Sequence, residues 1–430
     1  MTVLLRYEGQ VTVAQELVNE GSFHQAIEIY TDILRAIPAE TIDPDARKIR
    51  LQSLKSRGDV LIQCEMPKTA IVDYEQWYQE AEESSESIAI LCKIAKHYSM
   101  IGEAHTALKI GKEAQVLLHF YPTTPLQEAA VYRVLGYIRM NLGQLDEAHR
   151  EYQKAFDLLE SLDEKLLQAT ILNEIAIVDS RQSILDKSIK AYEQSLAFYK
   201  ELELHRATAI VLSNLGESYQ QLFDFETALQ YHQEALSMLT EDDKSQKPSF
   251  LCNVYRNIGL DLNGLGQFEA SVQYFKRAIS VNHIIRDRNT SMQLFNSCAL
   301  SELSQGNVVA AQEMVQKCLD IANSCDAKSH RAQAHYISGL IHQELYDLAT
   351  ANREWQKAIY LAHETGQSML LWQIHAAMAE CITNTEITEV HYEIAADIID
   401  QVVAPFTDDT IREKFLNAPQ TQAVLNKMQL

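Results

Sequence analysis

A small residue returns along this chain about every forty positions. It stands at Ala14, Gly58, Ala95, Gly136, Ala176, Gly216, Gly259, Ala299 and Gly339, at intervals of 44, 37, 41, 40, 40, 43, 40 and 40 residues, with a weaker copy at Ala379. Twelve residues after each of the nine full copies comes a second small residue: Ala26, Ala70, Ala107, Ala148, Ser188, Ala228, Ser271, Ala311 and Ala351. Four residues further on a large ring usually follows, at Tyr30, Tyr74, Tyr152, Tyr192, His232, Phe275 and Trp355, while Gly111 and Val315 depart from the rule. Apolar residues between these columns recur three and four apart, as in VYRVLGYIRMNLGQLDEAHREYQKAFDLL from Val131, which is the spacing of a helix. Gly21, Gly102, Gly143, Gly266 and Gly306 fall between the two helices of a pair, where a tight turn needs a permissive backbone. A single pair cannot bury its apolar face alone, so neighbours must stack. The pattern predicts an all-α fold, a right-handed superhelical solenoid of about ten antiparallel helix pairs.

Within that frame the solenoid covers residues 1–404, as nine full repeats and a degenerate tenth, and residues 405–430 form C-terminal capping helices. Asp408 and Asp409 can cap a helix start, Ile411, Phe415 and Leu416 give it an apolar face, Pro419 interrupts, and Thr421 to Leu430 can form a last short helix. A cap over the final apolar surface is the first reading of this segment, and a docking tail for a partner is the second. Two insertions, Pro38 to Asp45 and Glu241 to Ser249, are charged or Pro-bearing and read as surface loops.

The columns resemble the tetratricopeptide repeat. Leu135-Gly136, Leu215-Gly216 and Ile258-Gly259 fit its first helix, and Ala148…Tyr152…Ala155 and Ala351…Trp355…Ala358 its second, over roughly Tyr7 to Val402. The period is longer than the common one of about 34 residues. In that respect the chain is similar to the arrays of kinesin light chain, the Leu-Gly-Asn spindle adaptor and MalT-type bacterial regulators. The resemblance implies binding of a protein or an extended peptide.

Charge and chemistry narrow the function further. With 37 Lys+Arg against 59 Asp+Glu the formal charge is −22, which disfavours direct nucleic-acid binding and anionic membranes. No uncharged apolar run approaches the roughly 18 residues of a membrane span, and Arg6 and Glu8 arrive too early for a secretory apolar core. The seven cysteines are scattered without a Cys-x-x-Cys pair, as thiols of a reducing compartment are. The expected location is cytoplasmic. There is no phosphate-binding Gly-rich loop, no His-Glu-x-x-His helix and no Gly-x-Ser-x-Gly elbow. Gly264-Leu265-Gly266 lies between two helices and reads as a turn. His330, His335 and His342 cluster in one helix, and His375 repeats the His335 position one copy later. These columns hold packing residues such as Tyr132 and Tyr219 elsewhere, so the histidines read as packing groups. Acid pairs such as Glu82-Glu83 and Asp242-Asp243 read as solvated surface. A Cys–His nucleophile assembled from distant segments stays open. No enzymatic activity, cofactor or metal is expected.

The working surface should then be the concave face lined by the first helices. Lys55, Arg133, Asn173, Ser213, Asn214, Arg256, Asn257 and Asn296 stand two or three residues before the small-residue column and border that face. Asparagine is a mediocre helix former, yet its amide offers a donor and an acceptor to a peptide backbone. Similar asparagines in the kinesin light chain-like arrays hold peptide backbones, and Asn214 and Asn257 match that pattern best. Lys96 and Arg181 fall near the same face and predict a partner segment with carboxylates. The competing reading pairs these cations with neighbouring acids such as Asp59, Glu174 and Glu217. Tyr137 and Tyr336 point toward the inner face and read as aromatic anchors. The expected function is a non-catalytic protein- or peptide-binding scaffold, adaptor or regulatory subunit. A signal receptor that binds a small effector or signalling peptide and regulates a separate partner is the alternative, and an enzyme subunit active only in a complex is a third.

Overall fold

The computed structural model describes residues 2–239, 248–285, 287–381 and 385–428. Residues 241–247 of the second expected insertion, with the Asp242-Asp243 pair, lie outside the described residues. Among the described residues there are 22 helices and no strand. The first unit holds α1 (Thr2–Asn19), α2 (Phe23–Ala36), α3 (Pro44–Gln63), α4 (Pro67–Glu80), α5 (Ser85–Met100), α6 (Ala104–Leu117), α7 (Pro125–Asn141) and α8 (Leu145–Leu159). Next come α9 (Lys165–Arg181), α10 (Leu185–Glu201), α11 (His205–Gln221), α12 (Phe225–Ser237), α13 (Pro248–Gly264), α14 (Phe268–Ile285) and α15 (Arg288–Ser304). The chain continues through α16 (Val308–Ser324), α17 (Lys328–Glu344), α18 (Leu348–Glu364), α19 (Ser368–Cys381), α20 (Thr385–Val403), α21 (Asp409–Leu416) and α22 (Pro419–Leu425). α1 to α20 form ten pairs in chain order. None of the described helices is long and apolar enough to cross a membrane.

Two compact units divide the chain, residues 1–171 and 172–430. In the first, α1 packs on α3 and α5 on α7; in the second, α11, α13, α15, α17 and α19 pack in succession. First helices therefore build the inner layer of each unit. The loop from Pro38 runs exposed, with Ile42 95% accessible, until Asp43 caps α3 by accepting from the backbone N–H groups of Asp45 and Ala46.

The turns within pairs share one hydrogen-bond pattern. In the fourth, Gly143 N–H donates to the Met140 carbonyl and Gln144 N–H to that of Arg139, closing the helix end as a Schellman motif. The five expected turn glycines take φ between +73° and +90°. Glu65, Ser183, Phe223 and Tyr346 fill the equivalent place in four other pairs at φ from +58° to +60°, a conformation that is strained for a bulky side chain.

The two columns set how closely the helices of a pair approach. All nine second-column residues are fully buried. A Cβ added to Gly58, Gly136, Gly216, Gly259 or Gly339 would lie 2.6, 2.8, 2.4, 2.9 or 2.1 Å from the ring of Tyr74, Tyr152, His232, Phe275 or Trp355 respectively. The ring thus lies directly on the glycine backbone. Trp355 Nε1 donates to the Tyr336 carbonyl at 3.2 Å, and His232 Nε2 faces the Ser213 carbonyl at 3.1 Å, the same position three repeats earlier. Where serine replaces alanine in the second column, its hydroxyl finds the first-column carbonyl: Ser188 donates to Ala176 and Ser271 to Gly259, at 2.9 and 2.7 Å. Gly111 departs from the ring rule because Leu135 of the next first helix comes within 2.9 Å of where its Cβ would be.

Two buried histidines have depressed pKa values, His97 despite the opposing Asp59 carboxylate. His97 stacks on Tyr74 with 6.0 Å between centroids, and burial, helped by Lys96 and Lys93, pushes its pKa down to about 4. Burial beside His391 and His363 brings His375 down to about 4 as well.

These contacts make two expectations. Gly339→Ala should lower stability by about 1–3 kcal/mol, the usual cost of overpacking. Gly9→Ala, where a Cβ meets nothing within 4 Å, should be neutral or slightly stabilising, and urea unfolding of both variants reads the difference. For pH, a histidine whose folded pKa is depressed adds stability above its unfolded value of 6.5 that is lost as pH falls toward 4. Each should cost about 1.4 kcal/mol per pH unit across that window. His97→Phe should lose less stability than wild type between pH 7 and pH 5.

Candidate functional site

In the first unit, Lys55 of α3, Lys96 of α5, and Arg133 and Tyr137 of α7 all stand on first helices. Lys55 Nζ bonds Glu86 at 2.6 Å, both partly exposed, and lines a cavity of about 710 Å³. That cavity also carries Arg47, Lys48, Glu82 and Glu86 over an apolar floor that includes Trp77, so its charge is mixed. Lys96 is exposed at a second cavity of about 500 Å³, where the neighbouring Lys93 pairs with Asp59. Arg133 and Tyr137 are half-buried.

A polar seam joins the first helices of the second unit. Asn214 Nδ2 donates to Asn173 Oδ1 at 3.1 Å, linking α11 to α9. Gln220 donates to the Asn257 carbonyl and to Asp261, and Asn257 Nδ2 donates to Glu217 at 2.8 Å, linking α11 and α13. Arg256 spans from Asn257 to Gln293 Oε1 at 2.7 Å, with Glu217 3.6 Å away. Asn296 donates to the His330 carbonyl at 3.2 Å and is fully buried, as is Asn257. The expectation that every asparagine stands exposed on the inner face therefore needs correcting for these two: neighbouring helices cover them because their amides bridge adjacent repeats. Asn173 and Asn214 remain half-buried, and among the described residues half of each amide is unengaged, Nδ2 of Asn173 and Oδ1 of Asn214. Arg181 is exposed and meets no carboxylate among the described residues.

The C-terminal segment docks inside this same unit. Asp408 caps α21 as expected, accepting from Thr410 and Ile411 N–H. Ahead of it, one Asp186 oxygen, Oδ2, accepts from Thr407 N–H at 2.6 Å, Thr407 Oγ1 at 2.9 Å and Asp408 N–H at 3.2 Å. Burial pushes the Asp186 carboxyl up, but these bonds outweigh it and hold it below the usual range. Lys414 pairs with Asp224. Phe415, fully buried, stacks on Phe223 at 6.0 Å and meets Phe406 edge-on at 6.5 Å, while α22 packs on α20. Asp186, Asp224 and Phe223 were not singled out from the sequence. The signal was a phenylalanine in the turn column that five other pairs fill with glycine.

Among the described residues no group of three or more His, Cys, Asp or Glu side chains could hold a metal. His335 bonds Glu354 at 2.7 Å and His342 faces Asp347 at 3.6 Å, separate pairs on the packing columns. All seven cysteines are free, and burial pushes the Cys92, Cys298 and Cys318 thiols up to about 12.

The tetratricopeptide repeat model matches residues 127–201 and 167–241. A Tonsoku-like protein of Bos taurus is 28% identical over 180 residues, which are 37% of this chain and 13% of that relative's length. A Rap protein complexed with Competence and Sporulation Factor superposes with a TM-score of 0.60 at 16% identity, over 83% of this chain and 99% of its own. The Rap conjugation gene regulator of plasmid pLS20, solved with a peptide, gives 0.56 at 14% identity, over 82% and 96%. At such identities the two structures speak for the fold alone. The matched stretch, residues 127–241, is similar to the tetratricopeptide repeat, and the columns that run from Ala14 to Ala379 carry the same helix-pair pattern along the chain.

Proposed function

We propose that this chain is a non-catalytic scaffold, adaptor or regulatory subunit that binds a protein or an extended peptide on its first-helix faces. The carrying observation is the Asn173–Asn214 pair: bonded to each other across two repeats, the amides still offer one donor and one acceptor, the pair of groups that a peptide backbone needs. Arg181, exposed on the same helix as Asn173, and Lys96 and Arg133 in the first unit suit a partner with carboxylates. Arg256, Asn257 and Asn296 support the face by joining its helices. The peptide-bound Rap regulator shows that a fold of this kind accommodates such a ligand. Selection of random dodecapeptides on the full chain tests the reading. Enriched peptides should lose about tenfold or more in affinity on Asn173→Ala with Asn214→Ala, which is the worth of one to two hydrogen bonds. Acidic peptides should weaken similarly on Lys96→Glu with Arg133→Glu. Unchanged binding by both folded variants rejects these faces.

The docked C-terminal segment favours a second reading, a receptor whose ligand displaces residues 405–428 and so regulates a separate protein. Asp186→Ala should raise amide hydrogen exchange in that segment by about ten- to a hundredfold, since charge-assisted hydrogen bonds contribute roughly 1.5–3 kcal/mol. A segment protected equally in the variant and the wild type removes the latch on which this reading depends.

A further inference from the structure

The second unit carries a cavity of about 370 Å³ whose lining includes Tyr336, an expected aromatic anchor of the inner face. Phe223, Tyr336, Trp372 and Tyr392 line it with Glu380, and Val424 of α22 closes one side. Phe223 stands edge-on to Trp372, 5.8 Å between centroids at 77°, so two ring planes meet there nearly at right angles. Burial pushes the Tyr336 phenol up to about 12, and the Glu380 carboxylate adds to the effect there and at Tyr392. Both phenols therefore stay neutral, and both lie within the field of that carboxylate.

Two features of the lining are uncompensated. Glu380 is exposed, pairs with no cation among the described residues, and has no lysine, arginine or histidine beside it in the cavity wall. Trp372 is 2% exposed, and its buried indole N–H has no acceptor among the described residues. An unmet buried donor is costly, and a packed core normally removes it. Ring faces carry negative quadrupole density, so the half-buried rings of Phe223, Tyr336 and Tyr392 beside a bare carboxylate attract a positive, weakly hydrated group. The idle N–H requires a hydrogen-bond acceptor on the same ligand.

We propose that this cavity binds an organic cation that also carries a carbonyl acceptor, the chemistry of an arginine or lysine residue in a peptide. The cation sits among the rings against Glu380, and the carbonyl accepts from Trp372 Nε1. A volume near the lower end for ligand sites suits one side chain with its adjoining amide. The site stands apart from Asn173, Asn214 and the cations of the first unit, so it does not depend on the peptide-face reading and is tested separately.

Titrating the full chain with N-acetyl-arginine methylamide, N-acetyl-lysine methylamide, the neutral N-acetyl-norleucine methylamide and tetramethylammonium, read by saturation-transfer NMR and tryptophan fluorescence, tests the assignment. The two basic amides should bind about tenfold more tightly than the norleucine amide, the size of a desolvated cation–π contribution. Glu380→Gln should abolish that preference, and Tyr392→Ala should reduce it several-fold, with both variants melting as wild type does. Tetramethylammonium weaker than the arginine amide assigns the site to a peptide residue; tetramethylammonium at least as tight, and sensitive to Glu380→Gln, keeps the cation site but assigns it to a free amine. Norleucine amide binding as tightly as the basic amides overturns the proposal, as does a preference untouched by Glu380→Gln.

Discussion

The contact between a second-helix ring and a first-helix glycine governs the spacing of every pair that has it. A Cβ at Gly339 would fall 2.1 Å from the Trp355 ring nitrogen, so the two helices sit as close as their backbones and that ring permit. Size at one column is then coupled to size at the other. Five of the seven rings, Trp355 the largest among them, face a glycine; Tyr30 and Tyr192 face Ala14 and Ala176, and the ringless Val315 and Gly111 face Ala299 and Ala95. Because each pair is fixed this way internally, neighbouring pairs need only fit one surface to the next, and stability accumulates locally along the array.

That rigid spacing brings the first helices near enough for their polar side chains to reach across. Gln220, Asn257 and Arg256 bond adjacent helices of the second unit, and Asn296 does so through Nδ2 alone. Among the described residues, groups left open include half of the amide pair at Asn173 and Asn214, the Arg181 guanidinium, Asn296 Oδ1 and the indole N–H of Trp372.

Much of the fold was legible in the sequence because its columns report a local geometric demand. Glycine against a ring, alanine against a helix, and glycine in a left-handed turn each follow from sterics within about twenty residues. The surroundings of the asparagines were not legible in that way. Whether Asn257 meets solvent or Glu217 depends on a residue 40 positions earlier and on the rotation of two helices that no column encodes. Asp186 was invisible for the same reason, since its partners Thr407 and Asp408 lie more than 220 positions away. The first expected insertion was placed on the surface by its composition, and the structure puts it there, although Pro44 and Asp45 already belong to the following helix.

The docked C-terminal segment is an internal competitor for the surface of the second unit that it covers. Thr407, Asp408 and Lys414 are tethered to the body that holds Asp186 and Asp224, so they act at an effective concentration on the order of millimolar whatever the amount of protein present. A free molecule that engages either aspartate must outcompete that constant internal rival. Weak, abundant cations and stray peptides are screened out by the tether, and the threshold for occupancy moves with any change in the strength of this one latch.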